Sequence, residues 1–153
     1  MPKICRILFV CHGNICRSPM AEFVMKDLAS RRGLGDYFEI ASAATSSEEL
    51  GNPVHQGTRA KLKQYGIDCS GKYARKLTKR DYADYDLLIG MDEANVRNMR
   101  RMYANDPDGK VFKFLEFAGS QRDIADPWYT GNFDETYDDV SDGCVGLLSY
   151  LGY

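Results

Sequence analysis

Residues 7 to 19 read Ile-Leu-Phe-Val-Cys-His-Gly-Asn-Ile-Cys-Arg-Ser-Pro, and this stretch of sequence decides how the chain folds. The apolar residues at its start are typical of a buried parallel strand. Ser18 followed by Pro19 is typical of the N-cap and the first residue of a helix. The residues between them therefore join the carboxyl end of a strand to the amino end of a helix, where backbone N–H groups and the helix dipole favour an anion.

This loop carries the side chains that a phosphate site with its own nucleophile needs. Cys11 is nucleophilic as the thiolate, and the loop amides, the helix end and Arg17 all favour that form. The same donors would bind the oxygens of a phosphoryl group, two of them through the planar fork of Arg17. We expect the Ser18 hydroxyl both to cap the helix and to donate a hydrogen bond to the Cys11 sulfur.

The ordinary alternative for this loop is a buried core cysteine followed by a surface arginine. That alternative does not explain Gly13, which lets the backbone approach a ligand closely, or Asn14, which tolerates a left-handed backbone. We therefore favour the functional interpretation. The predicted phosphate-binding residues are His12, Gly13, Asn14, Ile15, Cys16, Arg17 and Ser18.

Breaking a phosphate ester also needs a general acid for the leaving oxygen. His12 lies inside the loop but is free to point away, so the better candidate is Asp126. It lies in a segment from about residue 116 to 132 with little periodicity, and such long segments are usually functional. Pro127 biases Asp126 toward an extended backbone. Without the cysteine loop, Asp126-Pro127 also fits an ordinary turn, and the two aromatic residues that follow it also fit packing in the core. In the functional interpretation, the aromatic residues Trp128 and Tyr129 line the side of a pocket and stack on an aromatic leaving group.

Taken together, these motifs resemble the low molecular weight protein tyrosine phosphatases over nearly the whole chain. Residues 11 to 18 are similar to the family's C-x5-R-S loop, which lies near the N-terminus as it does here, and Asp126-Pro127 resembles its late acid motif. Ser-Ala-Ala-Thr at 42–45 resembles the family's Ser-Ala-Gly-Thr segment. Met-Asp-Glu-Ala-Asn at 91–95 resembles its Met-Asp-Glu-Ser-Asn segment.

The resemblance implies hydrolysis of phosphotyrosine through a cysteinyl-phosphate intermediate, with no metal and no cofactor. Cys11 would attack phosphorus, Arg17 and the loop amides would hold its oxygens, and Asp126 would act as acid and then as base. Ser42 and Asp92 would support the loop. The implied partners are tyrosine-phosphorylated proteins, with a cognate tyrosine kinase as one candidate, and inorganic phosphate or a similar oxyanion in the loop.

The chain departs from the family pattern on the pocket wall. Glu48 and Glu49 stand where the family often has an aromatic side chain, and we expect them to disfavour acidic phosphopeptides. Ile15 stands where relatives acting on phosphoarginine carry threonine, which favours phosphotyrosine. Some relatives pair a second loop cysteine with the nucleophile, so a reversible disulfide between Cys16 and Cys11 and simple packing of Cys16 both remain open.

Composition restricts the class of protein. The chain of 153 residues fits one domain spanning residues 1 to 153, and its 20 basic and 22 acidic residues form no basic field for nucleic acid. No signal peptide and no membrane-spanning run are expected. The five cysteines show no Cys-x-x-Cys pair, so a zinc site is not expected and reduced thiols favour the cytoplasm.

Alternating strand and helix patterns predict a single α/β domain with a four-stranded parallel sheet and helices on both faces. This is a flavodoxin-like, doubly wound three-layer arrangement, with Cys11 at the point where the strand order reverses. His55 is expected on a helix surface, and the basic residues from Lys72 to Arg80 on a solvated face rather than a docking site. The predicted strands are 3–10, 38–43, 86–91 and 110–115, and the predicted helices are 18–32, 53–65, 78–83, 92–103 and 134–151.

Three other functions fit parts of the sequence. Arsenate reduction uses a related fold and anion loop, but Cys69 and Cys144 are badly spaced to relay a disulfide. A non-catalytic phosphate-binding module would not need Cys11 together with Asp126. Phosphoarginine hydrolysis is the nearest alternative in substrate, and Ile15 disfavours it.

Overall fold

Four parallel strands form one sheet in the computed structural model, which describes residues 3 to 153. The strands are β1 (Cys5–Cys11), β2 (Phe38–Ala44), β3 (Leu87–Gly90) and β4 (Val111–Lys113). The helices are α1 (Arg17–Arg31), α2 (Gln56–Lys63), α3 (Asp81–Asp84), α4 (Glu93–Met102), α5 (Pro127–Thr130) and α6 (Phe133–Tyr150). Short 3-10 helices cover Gly35–Tyr37 and Phe114–Ala118.

The strand order is β2-β1-β3-β4, so the chain moves outward from β1 to β2 and then crosses back to β3. All three neighbouring pairs are parallel. The order reverses between β1 and β3, and in open α/β sheets a ligand binds beyond the carboxyl ends of the strands at such a point. Cys11 is the last residue of β1, opposite Ala44 of β2. The predicted fold class is confirmed.

Helices cover both faces of the sheet, which explains the unbroken apolar run in β1. Ile7 and Phe9 belong to the core layer that contains α1 and α6, whereas Leu8 and Val10 belong to the layer that contains α4. All four side chains are fully buried. Within residues 3 to 153, no helix is both long enough and apolar enough to cross a membrane.

Two elements differ from the predictions for the second half of the chain. The fourth strand ends at Lys113, because Phe114 turns inward and packs its ring 5.0 Å from that of Phe9. The segment that lacked periodicity contains α5, which begins after Asp126 and ends at Gly131 with a φ of 71°. A helix of one turn buries no periodic face, so hydrophobic spacing could not reveal it.

Candidate active site

The Cys11 side chain lies at the carboxyl end of β1, under the amino end of α1. It is 3% exposed. Its sulfur lies 3.0 Å from the Ser18 hydroxyl oxygen and 3.3 Å from the Asn14 backbone nitrogen, which donates to it. The first backbone N–H groups of α1 have no acceptor within the helix and face the same end. Negative charge on the sulfur, or on an oxyanion above it, is therefore stabilised by several donors at once.

Asn14 holds the loop in shape. Its φ of 58° places it in the left-handed region, which asparagine tolerates better than most residues. Its amide nitrogen donates to the hydroxyls of Ser18, at 2.8 Å, and Ser42, at 2.9 Å. Its amide oxygen accepts from the Arg75 backbone nitrogen at 3.2 Å. Because the side chain is 1% exposed, these bonds replace contacts with water and fix the loop to two other segments.

The same bonds set the direction of the Ser18 proton. The Ser42 hydroxyl donates to the Glu22 carboxylate at 2.6 Å, so it accepts from Asn14. Ser18 also accepts from Asn14, which leaves its own O–H to donate to the Cys11 sulfur. The chain of hydrogen bonds from Glu22 therefore ends in a donor that favours the thiolate.

Ser18 does not cap the helix, and this half of its expected role is wrong. The helix α1 begins one residue earlier, at Arg17, with Cys16 at the N-cap position and no side-chain cap. The Ser18 hydroxyl turns to the sulfur instead because the Asn14 amide orients it.

Arg17 is 3% exposed and is held by groups from two other segments. Its Nη1 atom donates to the Asp92 carboxylate at 2.7 Å and to the Ile124 carbonyl at 3.0 Å. Its Nη2 atom lies 3.5 Å from Asp126. Burial lowers the pKa of Arg17, but the Cys11 sulfur and the two carboxylates outweigh it, so the net pKa is raised. The guanidinium is a fixed cation at the base of the site.

Asp92 serves two elements at once. One carboxylate oxygen accepts from the Asn95 backbone nitrogen at 2.8 Å and caps α4. The other oxygen accepts from Arg17. The carboxylate thus links the start of α4 to the Arg17 guanidinium.

Asp126 lies across the site from the loop and is the N-cap residue of α5. One carboxylate oxygen accepts from the Trp128 backbone nitrogen at 3.1 Å, and the other faces Arg17. The side chain is 25% exposed. One oxygen is therefore held by the backbone and the other pairs with Arg17, and the side chain lines the same pocket as Cys11.

A pocket of about 100 Å³ opens above the loop, and both predicted walls line it. Trp128 is 56% exposed and Tyr129 is 83% exposed, so neither is a core residue. A carboxylate oxygen of Glu48 lies 3.0 Å from the ring nitrogen Nε2 of His12, and both side chains are exposed on the pocket lining. Glu49 completes this side of the rim.

His55 is a residue that sequence reasoning misplaced. It is the N-cap of α2, where its ring nitrogen Nδ1 accepts from the Gly57 backbone at 3.0 Å. Its backbone nitrogen donates to the Ile15 carbonyl at 2.8 Å. Its ring stacks on Phe133 and meets Trp128 edge-on, at centroid distances of 5.4 and 5.6 Å. His55 therefore joins the loop that follows Cys11, through Ile15, to the segment that carries Asp126, through Trp128.

The basic run is only partly a solvated face. Lys72 donates to the Ser42 carbonyl at 2.8 Å, and its Nζ lies 3.7 Å from Glu22, a buried carboxylate that sequence reasoning missed. Arg75 binds both oxygens of Asp81. These two basic side chains are therefore engaged within the fold, and the Arg75 backbone nitrogen also donates to Asn14 of the loop. The remaining members of the run are exposed, namely Lys76, Lys79 and Arg80.

Cys16 packs inside the loop, 4% exposed, in a small cluster with Ile15 and Ala74. Burial and the nearby Cys11 raise the pKa of its thiol to about 12. It is therefore protonated and does not compete as a nucleophile. All five cysteines are free thiols, and residues 3 to 153 contain no group of three or more His, Cys, Asp or Glu side chains placed to hold a metal ion.

The fold and the site together place a buried cysteine and a buried arginine at the switch point of a parallel sheet, the arrangement of a cysteine-dependent phosphatase. The family model of low molecular weight phosphotyrosine protein phosphatase matches residues 6–152. YfkJ of Bacillus subtilis (strain 168), a low molecular weight protein-tyrosine-phosphatase, is 39% identical over 147 residues, which cover 95% of this chain and 94% of YfkJ. The chain belongs to the low molecular weight protein tyrosine phosphatases, as the sequence motifs predict.

Solved structures agree with this assignment. The crystal structure of YfkJ matches with a TM-score of 0.94 at 37% identity, over 97% of this chain and 95% of YfkJ. SP-PTP from Streptococcus pyogenes, a low molecular weight protein tyrosine phosphatase, matches with a TM-score of 0.87 at 45% identity, over 98% and 95% of the two chains. DARP, a Drosophila arginine phosphatase, matches with a TM-score of 0.88 at 28% identity, over 96% and 98%.

Proposed function

We propose that the chain hydrolyses phosphotyrosine by covalent catalysis at Cys11. The observation that carries this proposal is the convergence of three groups on one small pocket: the Cys11 side chain, the buried Arg17 guanidinium and the partly exposed Asp126 carboxylate. A nucleophile, an oxyanion donor and a proton donor at one point are the groups that the displacement of a phosphate ester needs.

In the first step the Cys11 thiolate attacks phosphorus and the bond from phosphorus to the tyrosine oxygen breaks. Asp126, in its protonated form, gives its proton to the departing oxygen. The product is a cysteinyl phosphate and a tyrosine hydroxyl. Arg17 and the loop amides hold the other phosphoryl oxygens and stabilise the charge on them as the transferring group passes between the two atoms.

In the second step water attacks the cysteinyl phosphate, and the Asp126 carboxylate takes the proton from that water. The bond from phosphorus to sulfur breaks and the thiolate leaves. The Ser18 hydroxyl, already oriented toward the sulfur, stabilises this leaving group. Inorganic phosphate remains in the loop as the second product.

The open walls of the pocket suit a substrate that is part of a protein. Trp128 and Tyr129 can contact the aromatic ring of phosphotyrosine, and the surrounding surface is free to receive the polypeptide that carries it. A catalytic thiolate needs a reducing compartment, so we propose that the protein acts in the cytoplasm. Proteins phosphorylated by a tyrosine kinase of the same cell, and the kinase itself, are the proposed partners.

Phosphoarginine is the second candidate substrate, since one similar structure is that of an arginine phosphatase. The pocket wall disfavours it in this chain. Ile15, which lines the pocket, has no hydroxyl to hydrogen-bond a guanidinium group. We therefore expect phosphotyrosine to be the better substrate of the two.

The test is the initial rate of hydrolysis of free phosphotyrosine against pH, with EDTA and a thiol reductant present. We expect turnover in the wild type and none in Cys11→Ser. We expect Asp126→Ala to lose about 10²- to 10³-fold in kcat and to lose the alkaline limb of the profile, because the proton donor is gone. Phosphoarginine is assayed in parallel.

Absence of phosphotyrosine turnover by the folded, reduced wild-type protein would overturn the proposal. Faster hydrolysis of phosphoarginine than of phosphotyrosine would overturn the proposed substrate but leave the proposed covalent mechanism at Cys11 standing. Cys11→Ser that retained wild-type turnover would remove the nucleophile from the account.

A further inference from the structure

Two carboxylates on one side of the pocket are held in place by neighbours. Glu48 lies 3.0 Å from His12 Nε2, and Glu49 accepts from the Asn52 side chain at 2.6 Å. Glu49 also packs over the loop, since a Cβ placed on Gly13 would lie 3.3 Å from its Cγ atom. Both carboxylates therefore stand at the mouth before any substrate arrives.

The mouth of the pocket carries mainly negative charge. Arg17, the one Lys or Arg among the lining residues, is buried at the base and already bonded to Asp92. Within residues 3 to 153, no Lys or Arg side chain forms an ion pair with Glu48 or Glu49. Glu48 and Glu49 thus lie beside the entrance with no Lys or Arg partner, Glu48 against the His12 ring and Glu49 against the Asn52 amide.

The size of the pocket determines what these charges can contact. The pocket is small, about 100 Å³, and its lining includes Cys11 as well as Glu48 and Glu49. The residues that flank a phosphotyrosine bound over Cys11 would therefore lie close to the two carboxylates. A lysine or arginine there reaches the two carboxylates with its long side chain, whereas an acidic residue meets like charge.

We propose that this chain selects phosphotyrosine that is flanked by Lys or Arg in the substrate sequence. The proposal rests on the proposed phosphotyrosine activity and adds the class of substrate sequence. The contacts form at an exposed rim, so they act on encounter and binding more than on chemistry. The preference is expected in kcat/KM, to weaken as salt is added, and to leave kcat nearly the same for different peptides.

The experiment compares two phosphotyrosyl peptides that differ only in the residues on either side of the phosphotyrosine, lysine in one and glutamate in the other. At low salt we expect kcat/KM to be about 5- to 10-fold higher for the lysine peptide. In the double variant Glu48→Gln/Glu49→Gln this ratio is expected to fall to near one, because glutamine keeps the size and hydrogen-bond acceptor but not the charge. High salt should reduce the wild-type ratio in the same way.

The matched control is Glu116→Gln, which removes one surface carboxylate outside the pocket and should keep the wild-type ratio. Equal kcat/KM for the two wild-type peptides, or an unchanged ratio in the double variant, would overturn the proposal. Hydrolysis of free phosphotyrosine by the same preparations separates the two claims. If the free amino acid is hydrolysed and the ratio is one, the selectivity fails while the phosphatase activity stands.

Discussion

The two halves of the active site are held in different ways. The half that carries Cys11 is buried: Asn14 is 1% exposed, and Ser18 and Ser42 are fully buried. The half that carries Asp126 is open, with that side chain 25% exposed and the neighbouring Tyr129 83% exposed. Buried hydrogen bonds from three segments fix the first half. The second half is attached through the Ile124 carbonyl and Asp126 to Arg17, through partly exposed bonds of Asp123, and through ring contacts to His55.

This difference matches the tasks of the two halves. Attack on phosphorus needs one fixed geometry for the sulfur and for the donors around the phosphoryl oxygens, which a buried network provides. Protonation of the leaving group takes place where the substrate polypeptide enters, so that side must remain open. Apart from Cys11 and Asp126 themselves, substitutions in the buried half should therefore cost more activity than substitutions in the open half.

Outside Cys11 and Asp126, the largest expected loss follows from Arg17→Lys. Lysine keeps the charge but cannot donate to Asp92, the Ile124 carbonyl and a phosphoryl group together. We expect kcat/KM for phosphotyrosine to fall about 10²- to 10³-fold. The control is Arg122→Lys, which weakens a paired arginine on Asp139 away from the pocket. A decrease in kcat/KM of less than about tenfold would show that the planar guanidinium of Arg17 is not needed.

Two substitutions at Asn14 distinguish the effect of its left-handed backbone from the effect of its side-chain hydrogen bonds. Asn14→Gly keeps access to the left-handed φ of 58° but removes the amide, and we expect kcat/KM to fall about 10- to 100-fold as Ser18 loses its orientation. Asn14→Ala should lose, in addition, about 1 kcal/mol of stability, measured by urea unfolding. Asn105→Gly, at another left-handed residue with φ 64°, is the control and should keep full activity. Full activity in Asn14→Gly would contradict the network.

His55 tests the open half in the same manner. His55→Asn keeps an N-cap acceptor but loses the ring contacts with Phe133 and Trp128, and we expect kcat/KM to fall about 2- to 10-fold. His55→Phe keeps the ring and loses the cap, so it should cost about 1 kcal/mol of stability and little activity. Activity lost only in the phenylalanine variant would show that the cap, and not the stacking, positions Asp126.

The smallest expected effect on activity comes from Asp81, which lies behind the buried half. Burial raises the pKa of this carboxyl, but the bonds from Arg75 and Thr78 outweigh it, so the net pKa is lowered. A lowered pKa stabilises the fold above about pH 4, the ordinary value, and this stabilisation is lost as pH falls through the folded value. Asp81→Asn should cost about 1–3 kcal/mol at neutral pH, and the difference from wild type should shrink in acid.

Urea unfolding at neutral pH and at about pH 3 measures this difference. Asp84→Asn is the control, because its pair with Arg80 is on the surface and should contribute little at either pH. An equal gap between wild type and Asp81→Asn at both pH values would mean that the charge of Asp81 is not the source of the stability.

The sequence predicts the buried half well because its parts are close together in the chain. The strand, the loop and the helix that follow one another from Cys5 to Arg31 are specified by apolar spacing and loop chemistry. A short loop between a strand and the next helix brings the carboxyl end of the strand close to the amino end of the helix. The position of the predicted oxyanion site can therefore be inferred from the sequence. The prediction that Ser18 caps the helix was wrong because the Asn14 amide hydrogen-bonds to the Ser18 hydroxyl and orients it elsewhere.

Residues that act across long separations could not be predicted in this way. Glu22 reaches Ser42 across 20 positions, and the Arg75 backbone reaches Asn14 across 61. Their roles depend on which helix packs beside which strand, and no local pattern records that. The short helix α5 did have local signals, an Asp–Pro start and a glycine at its end, but too few residues for a periodic pattern.

The most direct test of the division into two halves is to trap the covalent intermediate in Asp126→Asn. With an aryl phosphate whose leaving group needs no proton, the buried half should still attack, while the second step lacks its base. Rapid quenching followed by peptide mass spectrometry should then find one phosphoryl group on the peptide that contains Cys11, and none in Cys11→Ser. Turnover that proceeds with Cys11 unmodified, or a phosphoryl group on another residue, would contradict the account.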